Sequence, residues 1–542
     1  MRPSSDPVGD LRDAVTASAW TLHESEMTMA PTLERPPKPE FGDYSTNAAM
    51  LLAPALGEQP REVAAKLGSA LGERLGAQLD RAEVAGPGFL NLFMSDAWHR
   101  AALAAALASE PFGGAQASPA ERVLVEFVSA NPTGPITVAA GRHAAFGDAL
   151  CRLLDFAGHE VTREYYVNDH GSQIELFGES IRARARGEEP PEQGYHGDYV
   201  TELAERIEDA ADADPVTLAA RGVELMLESV RATLERFRVR FDSFFSERSL
   251  HESGAIQAAL DKLEEREHVY PADSAVWMRT TEFGDDKDRV LMRSSGELTY
   301  FAADVAYHAD KLERVPDRVI NVLGADHHGY VARQRGAWQA LGGEPERIEQ
   351  PIMQIVSLNE GGKRVSMSKR QGEFVTLDDL IDDIGVDAAR FFLLQRSHDT
   401  TLDLDLDLAR RQSQDNPVYY VQYAHARIAS ILRKAGDQRM SSALAADPAA
   451  SADGADLHPS ARTLVRLLLE LPEEIADAAE RRAPHRLTTY AHELAQGFSA
   501  FYRDCQVVGG EDEDFRIALS VQAQRTLARS LDLLGVSAPA SM

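Results

Sequence analysis

The stretch RVLVEFVSANPTGPITVAAGRHAAFGDALCRLLDFAGHEVTREYYV, residues 122–167, decides the fold. Residues 122–129 form an apolar, β-branched run that suits a strand buried in a parallel sheet. A proline-bounded turn at 131–135 leads into a helical pattern that runs to about Ala157, where Gly158 is a suitable C-cap. Residues 159–167 predict the next strand. The stretch therefore predicts a βαβ unit.

The turn at residues 131–135 is the expected place for a ligand. In open α/β sheets, ligands bind beyond the carboxyl ends of the strands. The start of the following helix offers unpaired N–H groups and a partial positive charge, which suit a phosphate. No G-x-G-x-x-G sequence follows the first strand, so a dinucleotide-dependent dehydrogenase has little support.

Two further junctions fall at the same edge of the predicted sheet. Residues 318–334 predict a strand that ends in Gly324, Asp326 and the His327–His328 pair. Residues 352–385 predict a strand, a loop rich in Gly, Lys and Ser, and a helix that Thr376 caps. Lysine and arginine cluster in that loop although lysine is scarce elsewhere, which favours an anion-binding role over an ordinary solvated loop.

Composition patterns divide the chain into three parts. Residues 1–112 predict an N-terminal α+β domain, and a small, polar, proline-bearing linker follows at 112–121. Residues 121–385 alternate β-branched runs with helical patterns, which predicts a doubly wound, Rossmann-like parallel sheet. From 386 to 542 the pattern is helical throughout and predicts an all-α domain.

Bulk properties restrict the class of protein but not its partner. The chain has 542 residues and a formal net charge of −30, with arginine plentiful. Net negative charge alone disfavours a polyanionic partner, but an acidic, lysine-poor surface also suits a salty cytoplasm, where screening at 1 M acts within roughly 3 Å. No apolar run spans a bilayer and no signal peptide begins the chain, so we expect a cytoplasmic protein without membrane contact.

Several motifs together resemble the arginyl-tRNA synthetase family of class I aminoacyl-tRNA synthetases. MSKR at 367–370 resembles the KMSKS signature, and NPTGPITVAAG at 131–141 stands where that class carries HIGH. The resemblance rests further on the stretches VEFVSANPTGP, EYYVNDHGSQI, GELTYFAADVAYH, VLGADHHGYVAR and NPVYYVQYAHARI. It extends over essentially the whole chain.

The resemblance implies a three-part architecture and a two-step reaction. The N-terminal domain would contact the tRNA elbow, and the helical domain, entered through DAAR at 387–390 instead of DALR, would bind the anticodon. Arginine would react with Mg-ATP to give arginyl-adenylate, and arginine tRNA would then accept the arginyl group. We expect ATP as a substrate, Mg²⁺ accompanying it without a dedicated protein site, and a monomeric enzyme.

The substrate arginine needs carboxylate and amide partners, because its guanidinium offers only donors. The resemblance implies that these partners are Glu126, Ser129, Asn131, Tyr300 and Asp304. Two alternatives stay open: Glu126 could pair with an internal arginine, and Tyr300 and Asp304, four apart on a predicted helix, could form a surface hydrogen bond.

For the nucleotide, the resemblance implies a site on the same edge of the sheet. Its predicted ATP-binding residues are Pro135, Gly141, Gly324, Asp326, His327, Met367, Ser368 and Lys369. Its predicted catalytic residues are Lys369, Thr137 and Arg142. The chain departs from the family pattern: the two HIGH histidines fall at Thr137 and Ala140, and the first KMSKS lysine falls at Ser366. We therefore expect the backbone amides at the helix start to hold phosphate, with Lys369 as the mobile charge.

In the helical domain, Tyr419, Tyr423 and Arg427 mix aromatic and basic side chains that suit base stacking on tRNA. At helical spacing the same aromatic residues could instead belong to the core. The degenerate signature leaves two functions open, a working arginine–tRNA ligase or a repurposed paralogue that binds tRNA or arginine without catalysis.

Overall fold

The computed structural model describes residues 6–23, 30–314, 316–365, 375–446 and 456–542. The first part of the chain forms a four-stranded antiparallel sheet, with strand order β1-β2-β4-β3, covered by helices. Its elements are α1 (Pro7–Leu22), β1 (Leu33–Glu34), β2 (Tyr44–Thr46), α2 (Ala48–Leu56), α3 (Pro60–Leu75), β3 (Leu79–Ala85), β4 (Phe89–Met94) and α4 (Asp96–Ala108). The predicted N-terminal α+β fold is confirmed.

The middle of the chain carries a parallel sheet with helices on both faces. Its first elements are β5 (Arg122–Glu126), α5 (Val138–Ala157), β6 (Glu160–Val167), α6 (Ser172–Ala185), α7 (Asp198–Arg206), α8 (Pro215–Arg236), β7 (Ser243–Ser246), α9 (Glu247–Glu252) and α10 (Ala255–Glu265). The remainder are β8 (Val269–Ala272), β9 (Ala275–Met278), β10 (Arg289–Met292), α11 (Tyr300–Arg314), β11 (Arg318–Asn321), β12 (Leu323–Gly324), α12 (Val331–Ala340), β13 (Ile348–Glu349), β14 (Ile352–Met353), β15 (Val356–Glu360), β16 (Lys363–Arg364) and α13 (Leu377–Leu394).

The main sheet has the strand order β13-β11-β5-β6-β7, and every neighbouring pair is parallel. This arrangement confirms the predicted βαβ unit, with α5 connecting β5 to β6. The ends of α5 agree with the sequence, since Thr137 caps its start and Gly158 ends it in the left-handed conformation. Strands β8, β9 and β10 form a separate antiparallel sheet that the sequence did not predict.

Helix α5 lies in the centre of the molecule because glycine allows close approach on two of its faces. A Cβ atom at Gly147 would lie 2.2 Å from the ring of Phe127, beside β5. A Cβ atom at Gly141 would lie 2.7 Å from Leu377 at the start of α13. Gly141 was predicted to bind ATP, but this packing makes it a helix–helix contact residue.

The last part of the chain is a helical bundle after a short mixed segment. Its elements are β17 (Leu402–Asp405), α14 (Leu406–Ala409), α15 (Pro417–Ala435), α16 (Asp437–Ala445), α17 (Pro459–Leu469), α18 (Leu471–Glu480), α19 (His485–Asp504) and α20 (Glu513–Leu533). The prediction of helix throughout from residue 386 is wrong at β17, which pairs in parallel with β15. Leu402 and Leu404 are buried between exposed aspartates, a period-two pattern typical of a strand.

One continuous hydrophobic core joins the three parts, with members such as Leu52, Leu154 and Leu527. Within the described ranges, no helix combines the length and apolar character needed to cross a bilayer.

A buried ion pair ties the central helix to the entry of the helical bundle. Arg390 is fully buried, and its Nη2 donates to Asp148 Oδ2 on α5 at 2.6 Å. The same guanidinium donates to the carbonyl of Phe237 at 2.9 Å and to that of Leu534, beyond α20, at 2.8 Å. Arg390 is the arginine of the DAAR motif, so this motif joins three segments that are far apart in sequence.

We expect Arg390→Met to lower the free energy of unfolding by about 3–5 kcal/mol, because it leaves Asp148 buried with a reduced set of partners. Urea denaturation followed by circular dichroism measures the change. Arg122→Met provides the control, since Arg122 pairs with Asp317 on an exposed surface and such pairs contribute about 0–1 kcal/mol. Equal effects of the two substitutions would contradict the assigned importance of the buried pair.

Candidate active site

The chain makes a strained turn directly after β5. Val128 and Ser129 have φ angles of 67° and 42°, a left-handed conformation that a β-branched residue such as valine rarely adopts. The Tyr165 hydroxyl donates to the Ala130 carbonyl at 2.8 Å, and the Tyr166 amide donates to Ser129 Oγ at 3.1 Å. Backbone strain of this kind is concentrated at ligand sites. The turn places Ser129 at the carboxyl edge of the sheet.

Glu126, the last residue of β5, already has a cationic partner inside the protein. Lys311 Nζ donates to Glu126 Oε2 at 2.6 Å, and Ser129 Oγ donates to Oε1 at 3.1 Å. Lys311 is fully buried and also donates to Asn321 Oδ1 at 2.8 Å. Internal pairing of Glu126 is thus present, with lysine in the place of the arginine considered from the sequence. Its charge is matched before any ligand binds.

Two other predicted arginine-binding residues contact the first residues of α6. Asn131 Nδ2 donates to Gln173 Oε1 at 3.0 Å, and the Tyr300 hydroxyl lies 3.3 Å from Ser172 Oγ. Tyr300 is 57% exposed and begins α11. Asp304 follows one turn later on the same helix. Among the residues that the structure describes, none forms a hydrogen bond or ion pair with the Asp304 carboxylate.

The structure adds a carboxylate that the sequence did not single out, Glu247 at the start of α9. Burial raises its pKa to about 7, and the nearby charge of Asp169 adds to this while a hydrogen bond from Tyr166 opposes it. Burial also raises the pKa of Asp304 to about 7, and the charges of Glu247 and Glu126 add to that shift. The charges of Glu247 and Glu126 act on Asp304, so the three carboxylates lie near one another.

A ligand with several N–H donors and a positive charge suits this pocket. Carboxylates that repel one another at the mouth of a sheet are stabilised by a cation, and a guanidinium can bridge two of them through its planar donors. The sequence gives little sign of a role for Glu247, because a glutamate in the first turn of a helix is common. Its position after β7 was the available signal.

The predicted nucleotide residues lie at the end of β12. Gly324 precedes a short 3-10 turn, and a Cβ atom there would lie 2.6 Å from Asp326 Oδ1 and 3.8 Å from His143 Cε1. The Asp326 side chain is 84% exposed, and His327 Nε2 lies 3.6 Å from its Oδ2 atom. Glycine thus leaves this segment open, with a carboxylate free to accept hydroxyl donors.

His143, in the second turn of α5, faces this segment. Burial, aided by the charge of Arg142, lowers the pKa of His143 to about 4, against the opposing charge of Asp326. The imidazole is therefore neutral at physiological pH. Its Nδ1 atom is buried and has no hydrogen-bond partner in the described part of the chain.

The start of α5 offers a phosphate fewer donors than we expected. The Val138 amide donates to the Val375 carbonyl at 3.3 Å. The Ala140 amide donates to Thr137 Oγ1 at 3.3 Å, so the Thr137 hydroxyl is used as an N-cap. Ala139 is exposed, and within the described ranges its amide has no partner.

Arg142, predicted as catalytic, is turned away from the cleft. It is 1% exposed, and its guanidinium donates to the carbonyls of Gln354, Ser397 and Thr400 at 2.7 to 2.9 Å. A guanidinium with three such partners is not available to a phosphate, so the catalytic prediction for Arg142 is corrected to a structural role. Pro135 lies half-buried in the turn, and its contact with ATP stays a prediction.

The residues that follow the loop with the KMSKS-like sequence lie beside the start of α5. Met367, Ser368 and Lys369, like Ser366, lie outside the described residues. Its C-terminal flank is held by the Leu377 amide, which donates to the Ile136 carbonyl at 2.8 Å, and Thr376 begins α13 with a capping box, as predicted.

The three predicted tRNA-binding residues form a ladder on one face of α15. The rings of Tyr419 and Tyr423 are nearly parallel, with centroids 6.1 Å apart. The Arg427 guanidinium lies 4.6 Å above the Tyr423 ring and donates to its hydroxyl at 2.8 Å. All three are half-buried and so present one face to solvent instead of filling the core.

Family models match all three parts of the chain. The arginyl tRNA synthetase N terminal domain matches residues 10–94. The catalytic domain of class I (R) tRNA synthetases matches 102–193 and 197–417, and the DALR anticodon binding domain matches 421–542.

Full-length relatives agree with these matches. The chain is 47% identical to the arginine–tRNA ligase of Frankia alni, over 98% of this chain and 99% of the relative. It is 43% identical to that of Carboxydothermus hydrogenoformans, over 100% and 99%. The solved structure of Thermus thermophilus arginyl-tRNA synthetase superposes with a TM-score of 0.76 at 25% identity, covering 98% of this chain and 99% of that one.

The pocket carboxylates make the stability of the ligand-free protein depend on pH. Because the folded-state pKa of Asp304 is raised to about 7, the folded state holds an extra proton between about pH 4 and 7. Stability should therefore fall as pH rises through that window. We expect Asp304→Asn to remove part of this fall, measured as the urea midpoint at pH 5 and pH 8. Asp261→Asn, on the exposed face of α10, should keep the wild-type dependence, and an unchanged dependence in Asp304→Asn would contradict the assignment.

Proposed function

We propose how the residues of this chain, which belongs to the arginyl-tRNA synthetase family, divide the work of its reaction. The chain is an arginine–tRNA ligase, as full-length identity of 43–47% to curated arginine–tRNA ligases shows. The alternative of a repurposed paralogue has no support, since the family models cover the N-terminal, catalytic and anticodon-binding parts alike.

The reaction has two steps. An oxygen of the arginine carboxylate attacks the α-phosphorus of ATP, and the bond to the β-phosphate breaks, giving arginyl-adenylate and pyrophosphate. A hydroxyl of the terminal tRNA ribose then attacks the arginyl carbonyl, and AMP leaves. Mg²⁺ enters with ATP as part of the substrate. Positioning and charge stabilisation supply most of the rate enhancement in such transfers.

The observation that carries the proposal is the carboxylate pocket. We assign the guanidinium to Asp304 and Glu247, whose pKa values are both raised to about 7 by burial. Glu126, with its charge matched by Lys311, is oriented to accept a hydrogen bond without adding net charge. Ser129, Asn131 and Tyr300 line the rest of the site as the resemblance implies.

For ATP, the proposed site extends from Gly324 and Asp326 to the start of α5. Asp326 accepts from ribose hydroxyls, and the unpaired Ala139 amide donates to a phosphate oxygen. His143 takes part as a neutral side chain, because its Cε1 atom would lie 3.8 Å from a Cβ atom at Gly324. Lys369 remains the proposed positive charge for the phosphates, because the residues that follow its loop, Val375 and Leu377, are held against Val138 and Ile136.

The tRNA contacts remain proposals as well. The ladder of Tyr419, Tyr423 and Arg427 offers stacking faces to anticodon bases. The N-terminal part is proposed to contact the tRNA elbow, as the family resemblance implies. We further propose that the enzyme is monomeric and acts in the cytoplasm, as expected from the family.

Aminoacylation of purified arginine tRNA with labelled arginine tests the pocket. We expect Asp304→Asn to raise the KM for arginine by about a hundredfold, the loss expected from a charge-assisted pair worth about 3 kcal/mol, while the KM for ATP stays near wild type. Arginine affinity of the wild type should also strengthen as pH rises from 6 to 8, because the cation binds the ionised form of carboxyls whose pKa values are about 7.

Asp310→Asn is the matched control for that test. Asp310 lies on the same helix, is partly exposed and forms an ion pair with Arg314 at 2.8 Å. Its loss should leave both KM values unchanged. An unaltered arginine KM in Asp304→Asn would remove that residue from the pocket, and absence of aminoacylation by the wild type would refute the function itself.

For the nucleotide side, we expect His143→Ala to raise the KM for ATP by about tenfold, the equivalent of one hydrogen bond of about 1.4 kcal/mol. His143→Gln should recover part of the loss, because its amide can replace a neutral imidazole. Steady-state aminoacylation with varied ATP measures both. His159→Ala, at the opposite end of α5, is the control; there His159 Nδ1 accepts from the Glu121 amide at 3.2 Å. Identical ATP kinetics in all three variants would exclude His143 from the site.

A further inference from the structure

Two histidines and a glutamate meet at the rim of the carboxylate pocket. His170 lies in the loop after β6, and Glu247 and His251 lie four residues apart on α9. One potential ligand atom from each lies within 4.8 Å of the other two. The pair of histidines comes from segments about eighty residues apart in sequence, so no local motif revealed it.

The cluster contains a buried nitrogen without a partner. His251 Nε2 is buried, and no described residue forms a hydrogen bond with it. The nearest carboxylate oxygen, Glu247 Oε1, lies 3.8 Å away, which is too far for a hydrogen bond. A gap of this size between two donor atoms suits an ion with bonds of about 2.0–2.2 Å to each.

The surroundings hold these ligands in place. With its amide oriented to satisfy its hydrogen bonds, Asn168 donates to Glu247 Oε2 at 3.0 Å, which leaves Oε1 facing His251. Asp169 ties the loop to α9, since its carboxylate accepts from the Arg248 amide at 2.9 Å and from Ser246 Oγ at 2.7 Å. Outer hydrogen bonds of this kind orient ligands in metal sites.

The two imidazoles are stacked, with centroids 3.7 Å apart and planes 17° from parallel. Coordination through both rings requires His170 to rotate out of the stack, and its exposed position allows this rotation. The glutamate side chain is 5% exposed and stays fixed. Of these ligands, Glu247 is therefore held rigidly and His170 can change its orientation.

We propose that His170, Glu247 and His251 bind a divalent transition-metal ion of the Zn²⁺ type at the rim of the arginine pocket. Two imidazoles and one carboxylate are ligands that Zn²⁺ accepts with a further position open. As a consequence that rests on the proposed function, the ion and arginine exclude each other, because both need Glu247 and both are cations. The sequence predicted no dedicated metal site, and this proposal revises that expectation.

The test uses full-length protein without a histidine tag, stripped with a chelator and titrated with Zn²⁺ and with Co²⁺. We expect one Zn²⁺ per chain by elemental analysis and a Co²⁺ absorption spectrum typical of nitrogen and oxygen ligands. His251→Ala and His170→Ala should each weaken Zn²⁺ binding by at least about tenfold. His268→Ala is the control, because His268 also lies beside a carboxylate, Glu282 at 3.1 Å, and is not part of the cluster.

Circular dichroism in the presence of chelator checks that each variant is folded as the wild type is. Absence of saturable Zn²⁺ binding in the wild type, or binding unchanged in both histidine variants, would overturn the proposal. Saturating arginine should weaken Zn²⁺ binding at least about tenfold if Glu247 is shared. Zn²⁺ binding that depends on the histidines but ignores arginine would support the metal site and remove Glu247 from the proposed arginine pocket.

Discussion

The buried pair between Asp148 and Arg390 is the constraint on which the arrangement of the whole molecule depends. Asp148 lies on the helix whose first turn borders the active site, and Arg390 lies at the entry to the helical bundle. An ionised pair without solvent is tolerated only if its remaining donors and acceptors are satisfied. Arg152 and two backbone carbonyls meet that requirement, so the pair joins the helix, the bundle and the segment after α20.

In the active site, by contrast, two carboxylates have no lysine or arginine partner among the described residues of the kind that Asp148 has in Arg390. Burial raises the pKa values of Asp304 and Glu247 to about 7, and the charge of Glu247 adds to the shift of Asp304. Internal cations satisfy the other buried carboxylates nearby, such as Glu164 with Arg314 and Glu126 with Lys311. This contrast between matched and unmatched charge is what distinguishes a binding pocket from a structural network. It also explains why a metal cation and a guanidinium would compete at one rim.

The structure shows which groups lie at and near the positions of the two histidines that are missing from the HIGH-like signature. Thr137 caps the helix instead of facing a phosphate, and the Ala140 amide is its partner. The signature helix still carries one histidine near the nucleotide segment, three residues after the second missing position. Fewer backbone amides at the start of this helix are free to bind a phosphate than we expected from the sequence, since the Val138 amide donates to the Val375 carbonyl.

The sequence by itself determined the order of the elements in the first βαβ unit, although it missed β8, β9, β10 and β17. The apolar run at 122–129, the turn before Thr137 and the glycine at 158 follow from local propensity and capping, which depend on neighbours in the chain. Local patterns also located Tyr300 and Asp304 one helical turn apart. Tertiary structure alone decided which of the predicted site residues are free to bind a ligand. Arg142 donates to three distant carbonyls, Gly141 packs against Leu377, and Glu126 accepts from Lys311. It also brought Glu247 beside Asp304 and His170 beside His251. These pairings depend on strand order and on contacts across the core, and no local pattern of residues encodes them.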